Sequence, residues 1–127
     1  MGTVGRRLPD TTDGSHPLPF DDLRPGDYWK VLDRQTSEPI VVTEYASNLT
    51  QQAWTVICPR TYPGGLMFGN LRAHTVREED DGTISVRPGD GSSNSILVTA
   101  RWGKDDAGNW HEYTWHGYIE HGVWNEC

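Results

Sequence analysis

The stretch Trp110–Cys127, WHEYTWHGYIEHGVWNEC, restricts the possible folds more than any other part of the chain. It carries three of the six tryptophans and three of the five histidines. Aromatic side chains suit a pleated surface, so the stretch reads as β-structure. His121-Gly122 lies between Tyr118-Ile119-Glu120 and Val123-Trp124. A glycine there accepts the positive φ of a tight reversal. Before the turn, strand alternation puts His111, Tyr113 and Trp115 on one face and Trp110, Glu112, Thr114 and His116 on the other. Large rings then stand on both faces. This predicts that both are covered, either within the chain or by an intermolecular contact.

The rest of the chain extends the β reading. Its 127 residues fit one domain, long enough to bury a core. Only 35% of them are apolar, and that mass is mostly rings, which favours strands over helices. With 14 glycines and 8 prolines, the elements should be short and joined by many turns. Residues 1–22 are poor in apolar side chains and read as an extended or disordered arm, anchored at Leu18-Pro19-Phe20. Residues 23–127 then form a single β-rich domain.

Along that domain, Pro25-Gly26 is a turn signal. Strands are predicted over Tyr28–Leu32, Ile40–Tyr45, Trp54–Cys58 and Ile96–Trp102, with Pro59 ending or edging the third. Ala46–Ala53 reads equally as a short helix or a polar loop. Arg60–Leu71 carries three glycines and the apolar trio Leu66, Met67 and Phe68. It reads as a loop folded over the core or, more sharply, as a contact loop. His74–Pro88, HTVREEDDGTISVRP, predicts a hairpin. A two-residue turn would set Val76 opposite Arg87. A three-residue turn, Asp80-Asp81-Gly82, aligns Val76 with Val86 and puts Gly82 where positive φ is wanted, so it is preferred. Gly89–Ser95 and Lys104–Asn109 read as connections. The expected fold class is mainly β: a compact, mostly antiparallel sheet, or a small sandwich or open barrel, of about seven strands paired in sequence.

Composition argues against several functions. The net charge is −7, and the longest charged run, Glu78–Asp81, is acidic. Nucleic acid and anionic membranes both call for a basic patch, so neither is an expected partner. No signal-type or membrane-spanning apolar run follows Met1, which places the expected location in a cytoplasm. GDGSSNS lacks the lysine ending of a phosphate loop, and no cofactor is expected.

Chemical candidates are few. Cys58, His74, His111, His116, His121 and Cys127 offer zinc-compatible atoms, with Cys58, His74, His116 and Cys127 the leading four. Their spacing matches no zinc signature, so the chain is expected to fold without metal. Cys58 with His74 or His116 can be written as a nucleophile–base pair, although a cysteine in an apolar strand is usually inert. Glu112 and Glu120 can be written as paired carboxylates. A Cys58–Cys127 disulfide would tie the two cysteines, but a cytoplasmic chain should keep them as thiols. None of these sets converges in the sequence. The expected binding residues are Leu66, Met67, Phe68, Trp110, Tyr113, Trp115, Tyr118 and Trp124.

Cys58-Pro59, His74-Thr75-Val76, DGTISVRP at Asp81–Pro88 and WHGYIEHGVWNEC at Trp115–Cys127 together show a likeness over a little more than half of the chain. On these residues the chain resembles a family of small uncharacterised proteins of actinobacterial phages and related mobile elements. The resemblance implies an accessory protein, in the host cytoplasm or associated with the virion. Some looser relatives look as if they carry a zinc site built from a cysteine cluster and a Cys-x-His. Here Pro59, Arg60 and Thr61 follow Cys58, and only Cys58 and His116 would correspond to it. The expected function is non-enzymatic: binding to a protein partner, self-association included, or a structural role. The alternatives are inhibition of a host process through an acidic surface, and a small metal-assisted hydrolase.

Overall fold

The computed structural model describes residues 2–12, 16–32, 41–42, 51–62, 65–71, 74–88, 92 and 94–127. Its strands are β1 (Thr3–Val4), β2 (Thr11–Thr12), β3 (Tyr28–Leu32), β4 (Val41–Val42), β5 (Gln51–Gln52) and β6 (Trp54–Tyr62). They continue with β7 (Gly65–Asn70), β8 (His74–Glu78), β9 (Ile84–Pro88), β10 (Ile96–Lys104), β11 (Trp110–Glu120) and β12 (Val123–Glu126). The main sheet runs β1-β12-β11-β10-β7-β6-β3-β2, and every pair on that path is antiparallel except β2 with β3. It curls into an open half-barrel. β4 pairs with β5 apart from it. The predicted Ile40–Tyr45 strand is described only at Val41–Val42. Residues 43–50, and with them the helix-or-loop choice, lie outside the described residues, as does most of Gly89–Ser95.

The turns follow from local chemistry. His121 and Gly122 have φ of 48° and 76°, a two-residue reversal with both residues left-handed, and Glu120 pairs with Val123 across it. The β8–β9 hairpin uses the three-residue connection. Val76 lies opposite Val86 and Glu78 opposite Ile84, while the Glu79 and Gly82 amides donate to Thr83 and Glu79 carbonyls at 2.8 and 2.9 Å. Gly82 has φ 88°, and an added Cβ would meet nothing within 4 Å. Gly82→Val should therefore cost about 1–2 kcal/mol from backbone conformation alone. A denaturant melt should show that loss, with the Val76–Val86 cross-strand contact retained.

Three expectations are corrected. β6 continues through Pro59 to Tyr62; the prolyl residue sits in a register break between Ile57 and Thr61, where its missing N–H costs no ladder bond. Arg60–Leu71 is not a loop over the core but the end of β6 and all of β7. The trio follows the strand period: Met67 points into the main core, and Leu66 and Phe68 pack on the opposite face. Pairing is also less sequential than expected. β10 pairs with β7, and the β8–β9 hairpin is set aside, meeting β11 at Val86 opposite Ile119. In that position Ile84 and Val86 are buried in the main core.

Both faces of part of the sheet are packed. The inner core holds Tyr28, Trp54, Val56, Cys58, Met67, Val98, Trp115, Ile119 and Trp124, among others. A smaller cluster on the other face joins Trp29 and Ile57 to Leu8 and Leu23, with Leu18, Val31, Leu66 and Phe68 against it. The N-terminal stretch supplies part of that cover. It also lies across the mouth of the half-barrel. β1 pairs with β12 at one edge, and Arg7 and β2 run parallel to β3 at the other. Of residues 1–22, Thr3–Val4 and Thr11–Thr12 are strands held on the sheet edges, and Phe20–Asp22 is a single 3-10 turn. Arg6 grips the buried Asp27 with two hydrogen bonds, of 3.1 and 2.8 Å, and the Arg24 amide donates to the same carboxylate.

Candidate functional site

Beyond the cover of the N-terminal stretch, the outward face of β10 and β11 is open. Leu97, Trp110 and Tyr118 are 58%, 49% and 39% exposed. The alternation along β11 is strict from Tyr113 onward. Tyr113 is half-buried, Trp115, Gly117 and Ile119 are buried, and the residues between them are exposed. The predicted parity therefore holds. Of the two ways expected for covering the second face, cover from within the chain does not reach it among the described residues: Leu18, Leu66 and Phe68 pack around Trp29 and Ile57 instead.

This placement divides the eight expected binding residues. Trp110 and Tyr118 lie on the open face. Leu66, Phe68 and Tyr113 are partly buried beside the two cores. Met67, Trp115 and Trp124 are core residues, and a packed side chain offers no surface to a partner. Leu97, not among them, is the most exposed large apolar residue of β10 among the described side chains. The signal was present: it alternates with Ile96 and Val98 on a strand whose inner parity is plainly apolar.

The open face has a defined rim. Lys104 Nζ lies 5.0 Å and the Arg101 guanidinium 6.0 Å from the Trp110 ring centre. Such stacking shields part of an exposed ring. Arg101 Nε also donates to Glu112 at 2.9 Å. Between β7 and β10 runs a groove of about 530 Å³, lined by Thr55, Phe68, Asn70, His74, Leu97, Thr99 and Arg101. Burial lowers the pKa of His74 there, against a backbone hydrogen bond to Leu97 that works the other way. The groove wall is therefore neutral at that position near pH 7.

At the far end of the same face, three side chains meet that the sequence does not link. His116 Nε2 lies 2.6 Å from Ser95 Oγ and 4.0 Å from Cys127 Sγ. The Cys127 amide donates to the His116 carbonyl at 3.0 Å, which seats the thiol beside the ring. Both cysteines are free. Cys58 is buried and its thiol is pushed up to about 12 by that burial, whereas Cys127 is exposed. Of the four leading metal candidates, only His116 and Cys127 adjoin; Cys58 sits in the core and His74 on β8. Among the described residues, no three side chains of metal-binding type converge. Glu112 and Glu120 lie eight positions apart on one strand, roughly 26 Å, far beyond the span of a glycosidic carboxylate pair. They are tied instead to Arg101 and Arg87.

Two carboxylates of the acidic hairpin tip, Glu78 and Glu79, are ion-paired from within. Burial opposes ionisation of Glu78, but hydrogen bonds from Lys30 at 2.6 Å and Arg7 at 3.0 Å outweigh it and hold its pKa low. Lys30 and Arg7 both lie over the Trp54 ring. The Ser85 hydroxyl at 2.6 Å and Arg77 at 3.0 Å do the same for Glu79, and Thr83 does so for Asp81. Ion pairing weakens the outward field of Glu78 and Glu79, whereas the Thr83 bonds leave the Asp81 charge in place.

Comparison with protein-family models, curated proteins and solved structures finds no match for this chain. No helix among the described residues is long and apolar enough to cross a membrane.

Proposed function

We propose that this protein acts without catalysis, by binding another protein through the open face of β10 and β11. One observation supports the reading most. The N-terminal stretch covers the apolar outward residues of β3, β6 and β7, yet Leu97, Trp110 and Tyr118 of the neighbouring strands stay exposed. Trp and Tyr are the side chains that most often anchor interfaces. The role is that of an accessory or structural protein. The likeness to actinobacterial phage proteins supports a phage or prophage setting, in the host cytoplasm or with the virion. Inhibition through an acidic surface has less support, because Glu78 and Glu79 of the tip are ion-paired within the chain.

The test is site-specific photo-crosslinking. A photoreactive phenylalanine analogue replaces Trp110 in one variant and Val4, which is 79% exposed on the edge strand β1, in another. Illumination of purified protein, and of cells producing it, should give a discrete protein adduct from position 110 and none from position 4. An adduct of doubled mass in the purified sample marks self-association; another mass, seen only in cells, marks a different partner. Equal labelling from both positions, or none from position 110, would overturn the reading.

A further inference from the structure

We propose that Cys127 is a thiol that exchanges with small disulfides, beside Leu97 and Tyr118 of that face, with His116 taking its proton and, as the imidazolium so formed, holding the thiolate. Three features of the geometry carry this. The sulfur is exposed and lies 4.0 Å from His116 Nε2, within reach of an S–H···N hydrogen bond. The backbone bond from Cys127 N to His116 O, 3.0 Å, holds the two residues together, and β11 is paired on both sides at this point. The ring itself is oriented by Ser95 Oγ at 2.6 Å on the same nitrogen. In the tautomer that leaves Nε2 unprotonated, the hydroxyl donates to it. The nitrogen has one lone pair, so the thiol proton reaches it when the Ser95 hydroxyl turns away.

The step balances without any further reagent. Nε2 takes the proton of Cys127, and the thiolate attacks one sulfur of the disulfide. A Cys127 Sγ–S bond forms as the S–S bond of the small molecule breaks. The electron pair leaves on the departing thiolate, which collects the proton from the imidazolium. Cys127 is oxidised to the mixed disulfide, and half of the small disulfide is reduced to thiol. Cys58 cannot compete, because it is fully buried and its thiol stays protonated. Glu126 precedes Cys127 and the chain carries a net charge of −7, so cationic disulfides suit the site better than anionic ones.

Cystamine is the probe, with intact-protein mass spectrometry and peptide mapping as the readout. The folded parent should take up one half-cystamine, at Cys127, and leave Cys58 free. His116→Gln, on the exposed face of β11, should slow that uptake by roughly fivefold or more. His116→Lys should recover most of the rate, because a fixed cation beside the sulfur also favours the thiolate. A purely structural role for His116 would not predict this recovery. Uptake by Cys58 at a similar rate, an unchanged rate in His116→Gln, or no recovery in His116→Lys would each overturn the proposal.

Discussion

Trp124→Ala is expected to remove about 3–5 kcal/mol of stability, the cost typical of deleting a large buried ring. Such a loss is a large share of what a domain of this size possesses. Trp124 is 1% exposed and meets Trp115 edge-to-face, with ring centres 5.0 Å apart. Its indole Nε1 also donates to the Gly26 carbonyl at 3.2 Å, a bond that joins β12 to the turn before β3. The substitution therefore empties the core and leaves a buried carbonyl without its donor. Trp124→Phe keeps most of the volume and the ring contact but loses the bond, so it should fall between the alanine variant and the parent. Denaturant melts of the three proteins check this order. A Trp124→Ala midpoint close to the parent's would show that the ring is not part of the core.

Gly117→Ala is the second large effect expected, about 3 kcal/mol or more, at the upper end for overpacking. Gly117 lies on the inward side of β11, where an added Cβ would run into the Asn125 carbonyl oxygen. It would also stand 2.8 Å from Cη2 of Trp115 and 2.9 Å from Cα of Glu126. Two of these neighbours are backbone atoms of β12, which cannot turn aside as a flexible side chain does. Relief requires β11 and β12 to separate, and Gly117 pairs directly with Glu126. The melt should shift strongly, and the Gly117–Glu126 cross-strand amide contact should weaken before contacts in the β8–β9 hairpin. A parent-like melt would show that β12 moves freely at this point. The contrast with Gly82 is instructive: there a Cβ meets open space, and only φ opposes the substitution.

The candidate site was legible in part. Trp110 and Tyr118 were expected as contact residues and lie on the open face, because their parity on β11 follows from the strand period alone. Met67, Trp115 and Trp124 were grouped with them on side-chain type, yet a ring serves a core as well as an interface, and only packing separates the two uses. Ser95 was passed over because a serine in a polar loop carries no pattern; its contact with His116 arises from the pairing of β10 with β11.

By itself the sequence determined the strands around their turns: the parity of β11, the reversal at His121-Gly122 and the Val76–Val86 register. Each depends on φ preferences and a period of two, which act over a few residues. The tertiary structure decided what those strands meet. It laid residues 3–12 across the mouth of the half-barrel, turned Gly65–Asn70 into β7, and brought Arg7 and Lys30 onto Glu78, 71 and 48 positions away. It also decided that the N-terminal stretch covers one part of the outward face and leaves the β10–β11 part bare. Such outcomes depend on which distant surfaces share a boundary. An alternating pattern defines two faces of a strand but carries no information about what packs against either one.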